Sequence, residues 1–269
     1  MQNKKRKRRR LKKNVKRAFA AIGAVIAGII ILIIIASVSG NRNEDKPQPT
    51  NPDIGKETII KIELMDDYPK DLRALFEKNK EARDFVLSYF IEKDKEHTID
   101  LGEYEFQTEM PHFLQWDVRW GFTDYGGETV AYAGCGPVAL SMVGYHLTRD
   151  AKTFSPDKVV QFALDEGYCI PDAGTAWALM DEGAESLGLN VENLPLVEGV
   201  LIEKLEAGEP IILIMGPGIF TGSGHFIVLR DYKDGYFYIN DPNSIIRTEK
   251  KWKFEEFSDQ ILNIWSYSV

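Results

Sequence analysis

The order of hydrophobic patterns predicts an α+β protein, with helices first and a mostly antiparallel sheet after them. Three observations carry that reading. Between positions 135 and 206, apolar residues recur at helical spacing in runs bounded by proline and glycine. The last third turns to short apolar runs with strand texture, among them Ile211–Met215 and Tyr236–Asn240. Far upstream of both lies Ala18–Val38, a 21-residue stretch with no charge.

The N-terminal part is organised by charge. Residues 1–17 hold eleven Lys and Arg and no acid, while the remainder sets 41 acids against 22 bases, a net charge of −19. So acidic a body argues against nucleic acid as a partner. As a helix, residues 18–38 would span about 30 Å, one hydrocarbon thickness. They are read as a transmembrane signal-anchor helix, with the lipid bilayer as partner. The positive-inside rule then puts the basic tail, residues 1–17, in the cytoplasm and the bulk of the chain outside. A cleaved signal peptide is the competing reading. It would need a shorter apolar core, and Ala36-Ser-Val-Ser39 is a poor cleavage site. Beside a span, the basic block is a topology determinant that also attracts anionic lipid.

Residues 39–62, with Pro47, Pro49 and Pro52, read as a polar linker. Residues 63–102 form a helical segment, with Leu72, Leu75, Phe76, Ala82, Val86, Tyr89 and Phe90 on one stripe that calls for packing on the main domain. That domain is expected over residues 103–269. It opens with Met110–Phe122, aromatic and without a clean period.

A helix is expected to run on from Cys135, since Pro137 suits a first turn and Val138, Met142 and Tyr145 follow at helical spacing. Ser155 and Pro156 open a second. Thr175 is expected to cap a third that carries Trp177, Met180, Ala184 and Leu187 and stops at Gly188. A fourth covers Glu198–Glu206. Strands are then expected at Ile211–Met215, His225–Tyr232, Tyr236–Asn240, Ile245–Thr248 and Asn263–Tyr267, with Asp234-Gly235 as a hairpin turn.

Four residues stand out chemically. Cys135 sits between Gly134 and Gly136 at a helix start, where free N–H groups and partial positive charge favour a thiolate. The flanking glycines would let another molecule approach the backbone closely. His225 opens one strand of the hairpin and Asp241 follows its partner, so antiparallel pairing draws the two together. An acid beside an imidazole fixes its tautomer and stabilises the imidazolium. Gln115 lies twenty residues before Cys135. Each also has a bland reading: a buried Cys, a structural histidine, a turn aspartate. Cys169 is the second cysteine, and an outside location permits a disulfide between it and Cys135. His97, His112 and His146 show no ligand spacing with the cysteines, so neither a metal nor a cofactor is expected.

Taken together, Leu114-Gln-Trp-Asp-Val-Arg-Trp-Gly121, Gly134-Cys-Gly-Pro137 with Ser141-Met142, Gly174-Thr-Ala-Trp177, Gly208-Glu-Pro-Ile-Ile212, Gly224-His-Phe-Ile-Val228 and Asn240-Asp-Pro-Asn-Ser244 form a recognisable series. Residues 113–269 resemble the stand-alone branch of the papain-like cysteine peptidases related to the bacteriocin-processing, double-glycine-leader peptidases, family thirty-nine of the cysteine peptidases. The resemblance implies a papain-like fold and a Cys–His–Asp triad at Cys135, His225 and Asp241, with Gln115 in the oxyanion hole. The anchored layout also resembles proteins of Gram-positive bacteria. The leader-processing relatives are fused to a transporter and face the cytoplasm, so their double-glycine substrate is not carried over to a domain expected outside.

The expected function is therefore that of a membrane-anchored extracellular cysteine peptidase acting on a peptide or protein, including the peptide stem of cell wall. Trp116, Trp120 and Phe226 are candidates to line its cleft, with core packing as the commoner role for each. Two alternatives stand beside it: a non-catalytic surface module that binds through the same groove, and an acyl transferase or cell-wall amidohydrolase on the same fold.

Overall fold

A computed structural model describes residues 67–269. The expected basic tail, membrane span and linker, residues 1–62, lie outside the described residues. Among those described, no helix is long and apolar enough to cross a membrane.

Two helices lead, α1 (Lys70–Lys78) and α2 (Arg83–Glu92). Of the apolar stripe read from the sequence, Leu72, Leu75 and Phe76 of α1, Ala82 at the start of α2 and Val86 within it lie in a small core with Ala131. Phe85, outside that stripe, joins them, while Phe90 is exposed. Residues 110–122 form turns without a helix or strand, as their lack of period implies. A ribbon pairing Asp124–Tyr125 with Glu128–Thr129 leads into one turn of helix, α3 (Val130–Ala133).

The chain breaks at Gly134 and enters α4 (Cys135–Thr148), the central helix, closed by Arg149 in the left-handed region. Then come α5 (Ala151–Phe154) and α6 (Pro156–Asp165), the latter with Pro156 in its first turn as expected. The helix expected from Thr175 does not form there. Thr175 instead ends a second ribbon, paired with Cys169, and its hydroxyl bonds the Tyr125 hydroxyl at 2.9 Å. Only a 3-10 turn, Trp177–Leu179, follows, and helix resumes as α7 (Glu182–Ser186) after Asp181, whose carboxylate accepts from the Glu182 N–H. α8 (Glu198–Glu206) matches its expected bounds.

The sheet has six strands: β1 (Asn190–Asn193), β2 (Ile211–Met215), β3 (His225–Lys233), β4 (Tyr236–Asn240), β5 (Lys251–Trp252) and β6 (Ile261–Ser268). Their order is β1-β6-β2-β3-β4-β5, and each neighbouring pair is antiparallel. The β3–β4 turn has φ of 54° at Asp234 and 77° at Gly235, the backbone a two-residue hairpin needs. Residues 245–248, expected as a strand, instead lie in a helix, α9 (Ile245–Glu249), between β4 and β5. Ser244 caps it, its hydroxyl accepting from the Arg247 N–H at 3.0 Å.

Alternation along the strands divides the interior in two. Ile212, Ile214, Phe226, Val228, Trp265 and Tyr267 face the core built around α4. Ile211, Leu213, Ile227, Leu229 and Ile264 face a second core closed by Leu201 and Leu205 of α8. A sheet covered on both faces explains why β2 reads as an unbroken apolar run.

Candidate active site

α4 delivers Cys135 at its first residue, half-buried, with no helical turn between its N–H groups and the cleft. The two flanking glycines do not leave room for a substrate. A Cβ at Gly136 would lie 2.8 Å from the Thr175 side chain, and one at Gly134 would lie 2.7 Å from the Val130 carbonyl oxygen. Their small size serves the chain's own packing around the nucleophile.

His225 is the first residue of β3, where it pairs with Met215. The residue is 5% exposed, and Nε2 lies 2.8 Å from Asp241 Oδ1. With Nε2 committed to the carboxylate, Nδ1 is the nitrogen left to serve Cys135. The thiol is half-buried and burial pushes its pKa up, but the adjacent His225 and the Phe226 backbone N–H outweigh this and bring it down. Burial also works against an imidazolium at His225. The Asp241 carboxylate and the Cys135 sulfur overcome it, raising His225 to about 10. Both directions favour a thiolate–imidazolium pair.

Asp241 is fully buried, in the turn that follows β4. Its Oδ1 also accepts the Asn243 N–H at 2.8 Å, and its Oδ2 takes a short bond from Arg247 Nε on α9. Its own N–H donates to Thr248 Oγ1 at 2.9 Å. His112 Nε2 lies 2.7 Å from the Asp241 carbonyl oxygen, which can only accept, so the ring carries its proton on Nε2. Burial lowers the His112 pKa and keeps it neutral.

Sequence reasoning missed Arg247, His112 and Thr248. His112 shows no metal-ligand spacing, and Arg247 lies in a segment whose side chains predict a strand. Among the described residues, no group of three or more His, Cys, Asp or Glu is arranged to hold a metal.

Gln115 sits beside this group and is 2% exposed. Its N–H donates to the Pro242 carbonyl at 2.8 Å, which ties it to the Asp241 turn. Its side-chain Nε2 donates to the Ala131 carbonyl at 2.7 Å, just upstream of Cys135, while Oε1 is buried without a partner. The amide thus lies against the chain leading to the nucleophile and does not itself wall the cleft. Both cysteines are free thiols in this structure.

A cleft of about 360 Å³ opens over Cys135. Phe226 and Trp177 supply its aromatic wall, and Glu128 and Asp172 supply two carboxylates. Trp177 is 45% exposed, although its spacing predicts the apolar face of a helix. Of the other aromatic candidates, Trp120 is buried, and Trp116 packs against the α1–α2 core.

A cysteine at a helix start, an imidazole beside it and a buried carboxylate behind that imidazole thus lie together on an α+β scaffold. The chain belongs to the Peptidase C39-like family, whose profile matches residues 107–268. That membership points to cysteine peptidase activity. Two solved structures are similar. One is the peptidase domain of Streptococcus ComA, a bifunctional ABC transporter involved in a quorum-sensing pathway, at 19% identity and a TM-score of 0.39, covering 51% of this chain and 91% of that one. The other is a C39-like peptidase from Bacillus anthracis, at 16% identity and a TM-score of 0.40, covering 61% and 96%. No curated protein matches.

Proposed function

We propose that this protein is a membrane-anchored cysteine peptidase whose catalytic domain acts outside the cell. One observation carries the catalytic part: His225 is bonded through Nε2 to the buried Asp241 and stands beside Cys135 at the start of α4. In this reading His225 holds the proton of the Cys135 thiol, and the thiolate attacks the amide carbonyl carbon. The oxyanion that forms is met by the Cys135 N–H and by the Gln115 amide, whose Nε2 donates to the Ala131 carbonyl at 2.7 Å and gives up its longer, 3.4 Å contact with the Tyr132 carbonyl on substrate binding. His225 then protonates the leaving amine as the C–N bond breaks, leaving a thioester on Cys135. Water, deprotonated by His225, hydrolyses the thioester and restores the thiol.

The substrate is a peptide or protein segment laid along the cleft, with the peptide stem of cell wall as one source. Support for the anchor comes from the charge-free run Ala18–Val38 behind eleven basic residues.

The test is hydrolysis of a peptide library by the full chain, compared with Cys135→Ala. Removing the sulfur should abolish product formation and leave the fold and peptide binding intact. Equal turnover by the variant would overturn the reading. Binding without turnover by the unmutated chain would favour the groove-binding module, and a cross-linked product would favour an acyl transferase.

A further inference from the structure

The helices α1 and α2 precede the region that matches the family, yet they hold both flanks of the site. On the nucleophile side, Asp71 Oδ2 accepts the N–H and the hydroxyl of Thr129, each at 2.7 Å. Thr129 leads directly into α3, whose Ala131 is buried in the α1–α2 core and whose end is followed by Gly134 and Cys135.

On the other flank, the connector between α1 and α2 reaches the turn after Asp241. Asn79 Nδ2 donates to the Asn243 carbonyl and to its side-chain oxygen, at 2.8 Å each. Glu81 Oε1 accepts from the Ser244 hydroxyl at 2.6 Å. Glu81 Oε2 accepts from the Ile245 and Ile246 N–H groups at 2.8 and 3.1 Å. Those two N–H groups open α9 and have no intrahelical partner.

α9 has five residues, too few to hold themselves helical, and Ile-Ile-Arg-Thr is a β-prone run. The Glu81 carboxylate takes up the free N–H groups of Ile245 and Ile246 that the Ser244 cap leaves open, which favours the helix. Arg247, on that helix, is the residue that bonds Asp241 Oδ2, and Asp241 in turn holds His225. The polar contacts therefore run without a gap from Glu81 through α9 and Arg247 to Asp241 and the imidazole.

We propose that Glu81, carried by the α1–α2 unit, is a positioning residue for the triad: it caps α9 and so fixes Arg247 against Asp241. The proposal rests on the peptidase reading above. It makes the helices ahead of the family domain part of the catalytic apparatus, acting through α9 and without contact with substrate.

The test is the pH dependence of Cys135 alkylation by iodoacetamide in the full chain, read site by site by mass spectrometry, with thermal unfolding measured in parallel. Glu81→Ala should slow labelling at pH ~6 by about fivefold or more, as expected for neighbours in one hydrogen-bonded network, and move the labelling profile toward that of an ordinary thiol. Glu81→Gln, which keeps one acceptor oxygen, should fall between. Glu77→Ala, on the exposed side of α1, should label as the unmutated chain does. In an Arg247→Ala background, Glu81→Ala should add no further loss.

Unchanged labelling in a folded Glu81→Ala chain would overturn the proposal, as would a full additional loss in the Arg247→Ala background. If Glu81→Ala does not fold, Glu81→Gln is read in its place against the same two outcomes. An ordinary thiol profile in the unmutated chain would instead remove the peptidase reading, and the proposal with it.

Discussion

Asp241 has no exposure to water and is nonetheless ionised. Burial opposes its charge, but His225, and after it Arg247, hold the carboxyl down at about 2. The two partners shift in opposite directions, and so do their effects on stability. His225 is raised to about 10, so the stability it contributes is complete below its unfolded value near 6.5 and is lost as the pH rises through about 10. Asp241 is lowered, so its contribution is complete above the unfolded value near 3.8 and is lost as the pH falls through about 2. The Cys135 thiol, lowered from its unfolded value near 9, gains stability over the range in which His225 loses it, so the two offset each other between pH ~7 and ~8.5. In Cys135→Ala, where that offset is gone, resistance to urea should fall as the pH rises from ~7, and adding His225→Gln should flatten the decline. A double variant with the same slope as Cys135→Ala would contradict the ion-pair account. These residues also mark a limit of sequence reading. His225 and Asp241 were legible because the hairpin between them has an unmistakable Asp-Gly turn. Arg247 and His112 were not, because what makes them important is a bond to Asp241 that no local pattern encodes.

Elements were legible where their cause is local. α4 starts at Cys135 because Pro137 suits its first turn and an apolar run follows, and α8 and β2 match their patterns residue for residue. The failures have distant causes. Residues 245–248 carry strand-like side chains, and they form helix in contact with Glu81, 164 residues away at Ile245. Thr175 has the side chain of a helix cap but is spent on Tyr125 and on a ribbon with Cys169. Gly144 illustrates the packing of the central helix. A Cβ there would lie only 1.9 Å from the Phe154 ring of α5. Gly144→Ala should therefore cost stability, by about 1–3 kcal/mol, despite alanine's better helix propensity. Urea unfolding of the variant checks this, and a neutral or stabilising result would mean that α5 yields easily.

For the molecule as a whole, the α+β order and the grouping of Cys135, His225 and Asp241 were readable in the sequence, while the two-flank grip of α1 and α2 emerged only in three dimensions. The charge of the cleft is another feature of the whole. Glu128 and Asp172 come from separate ribbons, 44 positions apart, and bring two carboxylates to the wall around Cys135. Peptides with a cationic residue beside the scissile bond should accordingly be cleaved faster than their acidic counterparts, by about tenfold at low salt, and Glu128→Gln with Asp172→Asn should erase most of the difference. A preference that survives both substitutions would place selectivity elsewhere. The central claim, that Cys135 and His225 form an ion pair ready for attack on an amide, is tested most directly by the rate of Cys135 alkylation against pH, with Cys169 as an internal reference. Fast labelling of Cys135 at pH ~6 that disappears in His225→Ala, while Cys169 titrates near or above pH ~8.5, is the predicted result. Slow labelling of both cysteines with ordinary thiol profiles would contradict it.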